Sequence, residues 1–478
     1  MAGSRNAIPV RNPRTGEVDL HITPASAEEV AAVAARLRAA QPTWARAGVE
    51  HRIAVMQRWA EVIRARRQDI VDADAHDTGY GQISQIAPDM MLGAIFGASR
   101  SAPAAFEQAV RRGTSPNMPH INYDSVLKPY PLVGVISPWN APTMLSMLHV
   151  IPPLFAGCAV LLKPSEVTPR FTRPLLETVR EVPELAEVFD VVLGDGETGQ
   201  AVVDNADLIS FTGSVGNGRK VAEACARRMI PVELELGGKD PVVVTATADL
   251  DKAATAVVRG AATSTGQVCF SVERVYVQAG VHDAFVEKLV KKAEAVKLNY
   301  PDPMGGQLSP FIFARQAEIV ADHLKDAVDK GAKVLTGGEV LNLGGGLYMK
   351  ATVVTGVTHD MKLMKDETFG PVMPVMAYQS EADAVRLAND TYFGLSAAVI
   401  AGTEAEARRI GEQIDAGNVS IQDCFLTFAA GAVESDSFRF SGLGGKRPGI
   451  QRYLKRQGLL INTLDPADLV EDGLRAAE

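Results

Sequence analysis

Cysteine is scarce in this chain: Cys158, Cys225, Cys269 and Cys424 are the only four in 478 residues. No two stand at a CxxC or zinc-ligand spacing, so neither a disulfide framework nor a metal site is expected. Reduced thiols in a reducing compartment follow. Long apolar runs are also missing. The greasiest stretch, 148–162, is broken by Pro152-Pro153 and Gly157 and ends at Lys163. A membrane span needs about 20 apolar residues, so this stretch reads as core and no membrane partner is expected. The first residues, 1–13, have no apolar segment of signal-peptide type, and a cytoplasmic location is the expectation. An excess of basic residues is lacking too: Lys+Arg 48 against Asp+Glu 57 leaves a net charge of −9. Nucleic-acid and anionic-membrane binding need a basic surface, so neither is expected. What remains, 46% hydrophobic and 22% charged residues, is the composition of a soluble globular enzyme. The length predicts two or three domains.

The first third reads as helical. Ser26-Ala27-Glu28-Glu29 has a capping-box pattern, and Val30, Val33 and Leu37 follow at helical spacing. A second amphipathic segment carries Ile53, Met56, Trp59 and Ile63, and a third spans 90–110. From about residue 130 short β-rich runs at 132–136, 159–162, 188–193, 208–211 and 242–245 alternate with helical segments such as 215–229. That alternation predicts a parallel sheet covered by helices on both faces. A second α/β pattern follows Gly237-Gly238, with a helix at 251–262, a strand at 274–277 and a helix at 284–296. In such sheets ligands bind beyond the carboxyl ends of the strands. Here those ends read Ser137-Pro138-Trp139-Asn140, Lys163-Pro164-Ser165-Glu166, Gly194-Asp195-Gly196 and Thr212-Gly213-Ser214, polar and Gly-rich as a nucleotide site requires.

Individual motifs carry little alone. Cys269, in Gly266-Gln267-Val268-Cys269, can expose a thiol and offer its own N–H to an oxyanion, although a free cysteine is more often a buried structural one. Glu235, in Glu233-Leu234-Glu235-Leu236-Gly237-Gly238, shares a strand face with Glu233 and suits a general base, against the plainer reading of a solvated edge. Asn140 can donate its amide to an oxyanion, or simply make a turn. Gly194-Asp195-Gly196-Glu197-Thr198-Gly199 matches G-x-G-x-x-G by letter. It does not lie at the first strand–helix turn and lacks the following ribose-binding acid, so it is not the usual dinucleotide fingerprint.

Together the motifs point one way. Asn140, Lys163-Pro164-Ser165-Glu166, Phe211-Thr212-Gly213-Ser214, Glu235-Leu236-Gly237-Gly238-Lys239, Cys269 and Glu367-Thr368-Phe369-Gly370-Pro371 occur in that order. The chain resembles the aldehyde dehydrogenase superfamily from Asn12-Pro13 to Ser441-Gly442-Leu443-Gly444, and the interval from Glu235 to Cys269 also fits. The resemblance implies an α/β fold with a Rossmann-type cofactor domain (1–110 and 130–236) and an α/β catalytic domain (237–445). It adds a small β oligomerisation extension (111–129 and 446–465), followed by a tail (466–478). It implies a homodimer or homotetramer acting on a small-molecule aldehyde. Cys269 is then the nucleophile, Asn140 an oxyanion donor and Glu235 the base that activates the hydrolytic water. Lys163 and Glu166 match the adenosine-ribose contacts. Glu166 favours NAD, because a carboxylate repels a 2′-phosphate, while Lys163 leaves NADP open. Ser214 matches a pyrophosphate contact at a helix N-terminus, Glu367 a nicotinamide-ribose contact, and Phe369 a residue beside the nicotinamide. The cofactor set extends to Ser137, Trp139, Ser165, Gly194, Gly199, Thr212, Gly213, Leu236 and Gly237.

The chain departs from the family at Ala141, where an aromatic residue is frequent, at Gln422-Asp423, and at Ser435-Asp436-Ser437-Phe438-Arg439-Phe440. Glu273-Arg274 is expected to form a structural ion pair. Met144, Leu145, Leu148, Phe270, Cys424, Phe425 and Phe428 are expected to line the substrate tunnel. That lining is apolar and holds no Arg, which predicts an aromatic or long-chain aldehyde. A CoA-acylating dehydrogenase, a thiol hydrolase or transferase without nicotinamide, and a non-catalytic protein retaining the fold are the alternatives.

Overall fold

A computed structural model describes residues 6–428, 435–444 and 449–465. The tail expected over 466–478, residues 445–448 and the Phe428 side chain lie outside the described residues. Two α/β sheets organise the chain. The first has six strands, ordered Gly442–Leu443, Val232–Glu235, Leu208–Thr212, Leu132–Ile136, Ala159–Lys163 and Phe189–Val191. All pair in parallel except Gly442–Leu443, which runs antiparallel to Val232–Glu235. The second has seven strands, ordered Lys333–Thr336, Thr352–Thr355, Val372–Tyr378, Val272–Gln278, Asp240–Val244, Ser396–Ile400 and Asn418–Ile421. Only Lys333–Thr336 pairs antiparallel there. The strands Ala159–Lys163, Leu208–Thr212, Asp240–Val244 and Ser396–Ile400 are buried along their whole length. Their near-continuous apolar runs are what helices on both faces require.

The helices start and stop where local chemistry directs. Ala27–Arg46 opens on a complete capping box: Glu29 N donates to Ser26 Oγ and Ser26 N donates to Glu29 Oε2. Pro142–Ala156 begins with proline, whose missing N–H costs nothing there. It passes through Pro152-Pro153. It runs on to Ala156 and is closed by Gly157 at φ 98°. Its last carbonyls are met by other helices: Trp44 Nε1 donates to Leu154 O at 2.9 Å and the buried Arg52 Nε to Phe155 O at 2.9 Å. The helix expected at 90–110 is longer, Gln82–Ala109, and passes through Pro88 and Pro103. Burial of Ser84, Ala87, Met91, Ile95 and Ala102 outweighs the proline penalty of about 3 kcal/mol.

A third, three-stranded antiparallel sheet of Leu454–Asn462, Ile121–Pro129 and Arg112–Thr114 stands apart from the two cores. Its edge strand exposes Leu459, Leu460 and Ile461. Among the described residues no helix is long and apolar enough to cross a membrane, and no group of three or more His, Cys, Asp or Glu could hold a metal ion.

Candidate active site

Cys269 is carried by a strained turn between the helix Leu250–Ala262 and the strand Val272–Gln278. Ser264, Thr265 and Gly266 have φ of 53°, 59° and 69°. The two that carry side chains each cost of order 1–3 kcal/mol, and the surroundings hold them there. Thr265 Oγ1 donates to Ser309 O at 2.9 Å and accepts from Ser309 N at 2.8 Å. The buried Gln267 accepts at Oε1 from Ile312 N at 3.0 Å. A Cβ on Gly266 would lie 2.2 Å from the Gly370 carbonyl oxygen, so close approach and backbone angle both require glycine. Of the four cysteines, Cys269 alone is not fully buried. Burial pushes the Cys158 and Cys424 thiols far above the usual range and the Cys225 thiol up to about 11.

Asn140 and the segment that follows Glu235 reach this turn from the other sheet. Asn140 follows the strand Leu132–Ile136, and its Nδ2 donates to Gln267 O at 2.9 Å. An amide nitrogen has two N–H groups, so this bond fixes one and orients the other. Glu235 ends the strand Val232–Glu235, in register with Thr212 on one side and Gly442 on the other. The segment after it is pinned by Ser441, whose carbonyl accepts from Leu236 N at 2.9 Å and whose Oγ donates to Gly237 O at 2.7 Å. It then passes so close to Cys269 that a Cβ on Gly238 would sit 2.4 Å from the Cys269 carbonyl oxygen. The two sheets therefore meet at Cys269.

The expected cofactor residues collect at the carboxyl edge of the six-stranded sheet. Lys163 Nζ lies 3.1 Å from Glu166 Oε2, presenting an ammonium and a half-exposed carboxylate together. Ser165 Oγ accepts from Val167 N at 3.3 Å. Ser137 Oγ pairs with Ser146 Oγ at 2.7 Å, and Thr212 Oγ1 with His149 Nε2 at 3.0 Å. Ser214 caps the helix Val215–Arg227, and nothing lies within 4 Å of a Cβ built on Gly216 in its first turn. Trp139 and Phe369 stand edge to face with centroids 5.5 Å apart. Glu367 Oε1 accepts from Gly238 N at 3.1 Å, and a Cβ on Gly237 would fall 2.4 Å from Glu367 Oε2. Burial, with Glu273 nearby, pushes the Glu367 carboxyl up to about 8, against the pull of the Gly238 N–H and Lys239. An open helix N-terminus, a Lys–Glu pair able to meet phosphate or ribose hydroxyls, and a facing aromatic pair fit a nicotinamide dinucleotide. Gly194 and Gly199 flank the start of the helix Gly196–Asn205. Gly194 is explained by packing: a Cβ there would lie 2.1 Å from Thr198 Oγ1, which donates to Ala25 O at 2.9 Å.

The expected Glu273–Arg274 pair does not form, because successive strand residues point to opposite faces. Glu273 instead pairs with the fully buried Lys239 at 2.5 Å and accepts from the backbone N–H groups of Thr368 and Phe369 at 2.7 and 2.8 Å. Arg274 donates to the carbonyls of Lys239, Leu387 and Ala388. The Lys239–Glu273 pair thereby clamps the turn that presents Glu367 and Phe369, the latter at φ 54°.

A cavity of about 140 Å³ opens on Cys269. Asn140, Met144, Leu145, Phe270 and Phe425 line it, with the Phe270 and Phe425 rings 4.7 Å apart. Two expected lining residues do not. Leu148, a turn farther along its helix, is 43% exposed. Cys424 points into the catalytic core beside Val272 and Gly260. Much of the rest of the wall comes from the N-terminal third, from Asp74, Tyr80, Ile83, Ile86, Ala87 and Met90. Nothing local in sequence marks them. Ser441, Lys239 and Glu273 sit inside motifs already noted, but their clamping contacts are long-range.

The family model described as "Aldehyde dehydrogenase family" matches residues 1–457. A protein of Mycolicibacterium smegmatis named as a succinate-semialdehyde dehydrogenase [NADP(+)] is 36% identical over 474 residues, covering 97% of this chain and 91% of that one. A 4,4'-diapolycopene aldehyde oxidase of a Methylomonas species is 40% identical over 334 residues, 70% of this chain and 61% of that protein. A solved structure from Anabaena variabilis, described as an aldehyde dehydrogenase, superposes with a TM-score of 0.94 at 46% identity, covering 97% of this chain and 99% of the other.

Proposed function

The chain belongs to the aldehyde dehydrogenase family, and from that premise we propose that it oxidises an apolar aldehyde, aromatic or long-chain, to the carboxylic acid through Cys269. Aldehyde oxidation with NAD or NADP is its reaction class. The observation that carries the finer reading is the cavity on Cys269. Its wall holds Tyr80, Ile83, Met90, Met144, Leu145, Phe270 and Phe425, and no Lys or Arg.

The Cys269 thiolate attacks the aldehyde carbon; a thiol is the strongest side-chain nucleophile near neutral pH. The second N–H of the Asn140 amide and the Cys269 N–H hold the oxyanion. Bound nicotinamide supplies the hydride acceptor. A thioester on Cys269 remains. Glu235 takes a proton from water, which attacks the thioester and releases the acid. Lys163, Glu166, Ser214, Glu367 and Phe369 bind the dinucleotide, with Glu166 favouring NAD. The three-stranded sheet supports assembly as a dimer or dimer of dimers, since its edge strand leaves apolar side chains and backbone groups unpaired.

A semialdehyde carboxylate is the competing substrate, favoured by the name of the Mycolicibacterium relative. A buried second carboxylate would need a cation, and the wall offers none. The test is NADH or NADPH formation with benzaldehyde, long-chain alkanals and succinate semialdehyde, beside Cys269→Ala. Higher kcat/KM on the apolar aldehydes, abolished in the variant, is expected. A clear preference for succinate semialdehyde refutes the apolar reading. Acyl-CoA appearing in place of free acid when CoA is added refutes the hydrolytic role of Glu235.

A further inference from the structure

One charged side chain stands on the wall of the apolar cavity, and the reaction proposed above does not use it. Asp74, on the helix Arg67–Thr78, is 4% exposed and lines the cavity with Cys269. Its carboxyl is held by two other helices. Ser84 Oγ donates to Oδ1 at 2.7 Å, and Thr143 Oγ1 donates to Oδ2 at 2.7 Å. The Thr143 backbone N–H adds a further bond. Ser84 and Thr143 are themselves fully buried, so the carboxyl is fixed in place. An ionised carboxylate offers about four acceptor positions, and these contacts leave about one of them for the cavity.

Three other polar side chains on the wall are engaged elsewhere. The Tyr80 hydroxyl faces Ser264 O at 3.4 Å, Thr263 Oγ1 donates to Arg259 O at 2.7 Å, and Asn140 is committed to the nucleophile turn. A buried carboxyl in an apolar pocket is costly unless something pairs with it. Ser84 and Thr143 meet that need in part, and about one acceptor position is left.

We propose that Asp74 reads a hydroxyl group on the substrate, so that the preferred aldehyde is apolar but bears a hydroxyl remote from the reacting carbon, as a hydroxylated aromatic aldehyde does. This rests on the apolar-substrate reading. A hydroxyl suits this carboxyl in either protonation state, since it can donate to the anion or accept from the neutral acid. Burial raises the Asp74 pKa, which favours the neutral form and disfavours a cationic partner. A cationic aldehyde would also have to be stripped of water against a single buried carboxylate, at a cost its attraction does not reliably repay.

The experiment compares kcat/KM for benzaldehyde, 3- and 4-hydroxybenzaldehyde, their methoxy counterparts, betaine aldehyde and succinate semialdehyde, at a pH below phenol ionisation. The methoxy compounds share much of the ring electronics but lack the O–H. Wild type is expected to prefer one hydroxy isomer over its methoxy counterpart by about tenfold or more, the scale of leaving a buried hydrogen-bonding group unpaired. Asp74→Ala, checked for folding by circular dichroism, is expected to bring that ratio towards one. Equal rates for hydroxy and methoxy isomers in wild type overturn this inference and leave the apolar reading standing. An unchanged ratio in folded Asp74→Ala also overturns it. A preference for betaine aldehyde overturns it in favour of a cation site. A preference for succinate semialdehyde overturns it together with the apolar reading. The wild-type comparison decides the matter even if the variant does not fold.

Discussion

Replacing Asn140 by alanine separates two jobs that one amide performs. Nδ2 donates one N–H to Gln267 O at 2.9 Å, and the other is assigned to the oxyanion. Losing an oxyanion donor raises the barrier by about 2.7–4 kcal/mol, or about 10²–10³ in kcat. Losing the bond to Gln267 costs stability by about 0.5–1.5 kcal/mol. Thr265 still holds Ser309 in both directions and Gln267 still accepts from Ile312, so the nucleophile turn survives. The expected result is a folded enzyme, slightly less stable, whose Cys269 still alkylates while its single-turnover NADH formation falls by the larger factor. A folded variant within threefold of wild type in kcat/KM refutes the oxyanion assignment and reduces Asn140 to a brace for the turn.

Native iodoacetamide labelling followed by intact mass is expected to show one adduct, lost in Cys269→Ala, because the other three thiols are buried; two or more adducts on folded protein count against this. Glu273→Gln leaves Lys239 without its charge partner in a fully buried position and is expected to cost about 3–5 kcal/mol in denaturant unfolding, with weaker dinucleotide binding as the Thr368-Phe369 turn loosens; unchanged stability counts against the clamp. The Glu367 carboxyl is pushed from its ordinary 4.5 up to about 8, so the folded chain holds that proton more tightly than the unfolded one. Its contribution to stability is full below the ordinary value and is lost as pH rises towards 8. The melting temperature of the cofactor-free protein is therefore expected to fall between pH 6 and 9 more steeply in wild type than in Glu367→Gln, and equal slopes in the two proteins remove Glu367 as the cause.

Local signals in the sequence were read well wherever local physics decides. The run at 132–136 is the strand Leu132–Ile136, because a strand buried on both faces needs a continuous apolar run and its ends are marked by polar turns. The Ser26 capping box forms with both of its bonds. The helices that carry Pro88 and Pro152-Pro153 continue through them because tertiary burial and the bonds from Trp44 and Arg52 supply what the chain itself lacks. Glu273-Arg274 is where the sequence misled. Adjacency in sequence suggests a pair, but a strand sends the two side chains to opposite faces, and each finds partners from distant segments.

The cavity wall shows most clearly what a linear reading misses. Phe270 and Phe425 were within reach because they adjoin the nucleophile or sit on the loop expected to face it. Asp74 and Ile83 come from the N-terminal helices and Tyr80 from the turn between them, where they are indistinguishable by pattern from core and solvent-facing positions. Their assignment to the wall depends on Gln82–Ala109 packing against Pro142–Ala156, which the long helix can do only by running through Pro88. A helix taken to begin at residue 90 leaves out Ser84, whose hydroxyl bonds the Asp74 carboxyl. The machinery that strips the aldehyde of hydride is written in compact motifs, while the surface that selects the aldehyde is assembled from helix positions that only the packed structure brings together. Substrate preference should therefore respond to substitutions at Asp74 and Ile83 that leave every recognisable motif untouched.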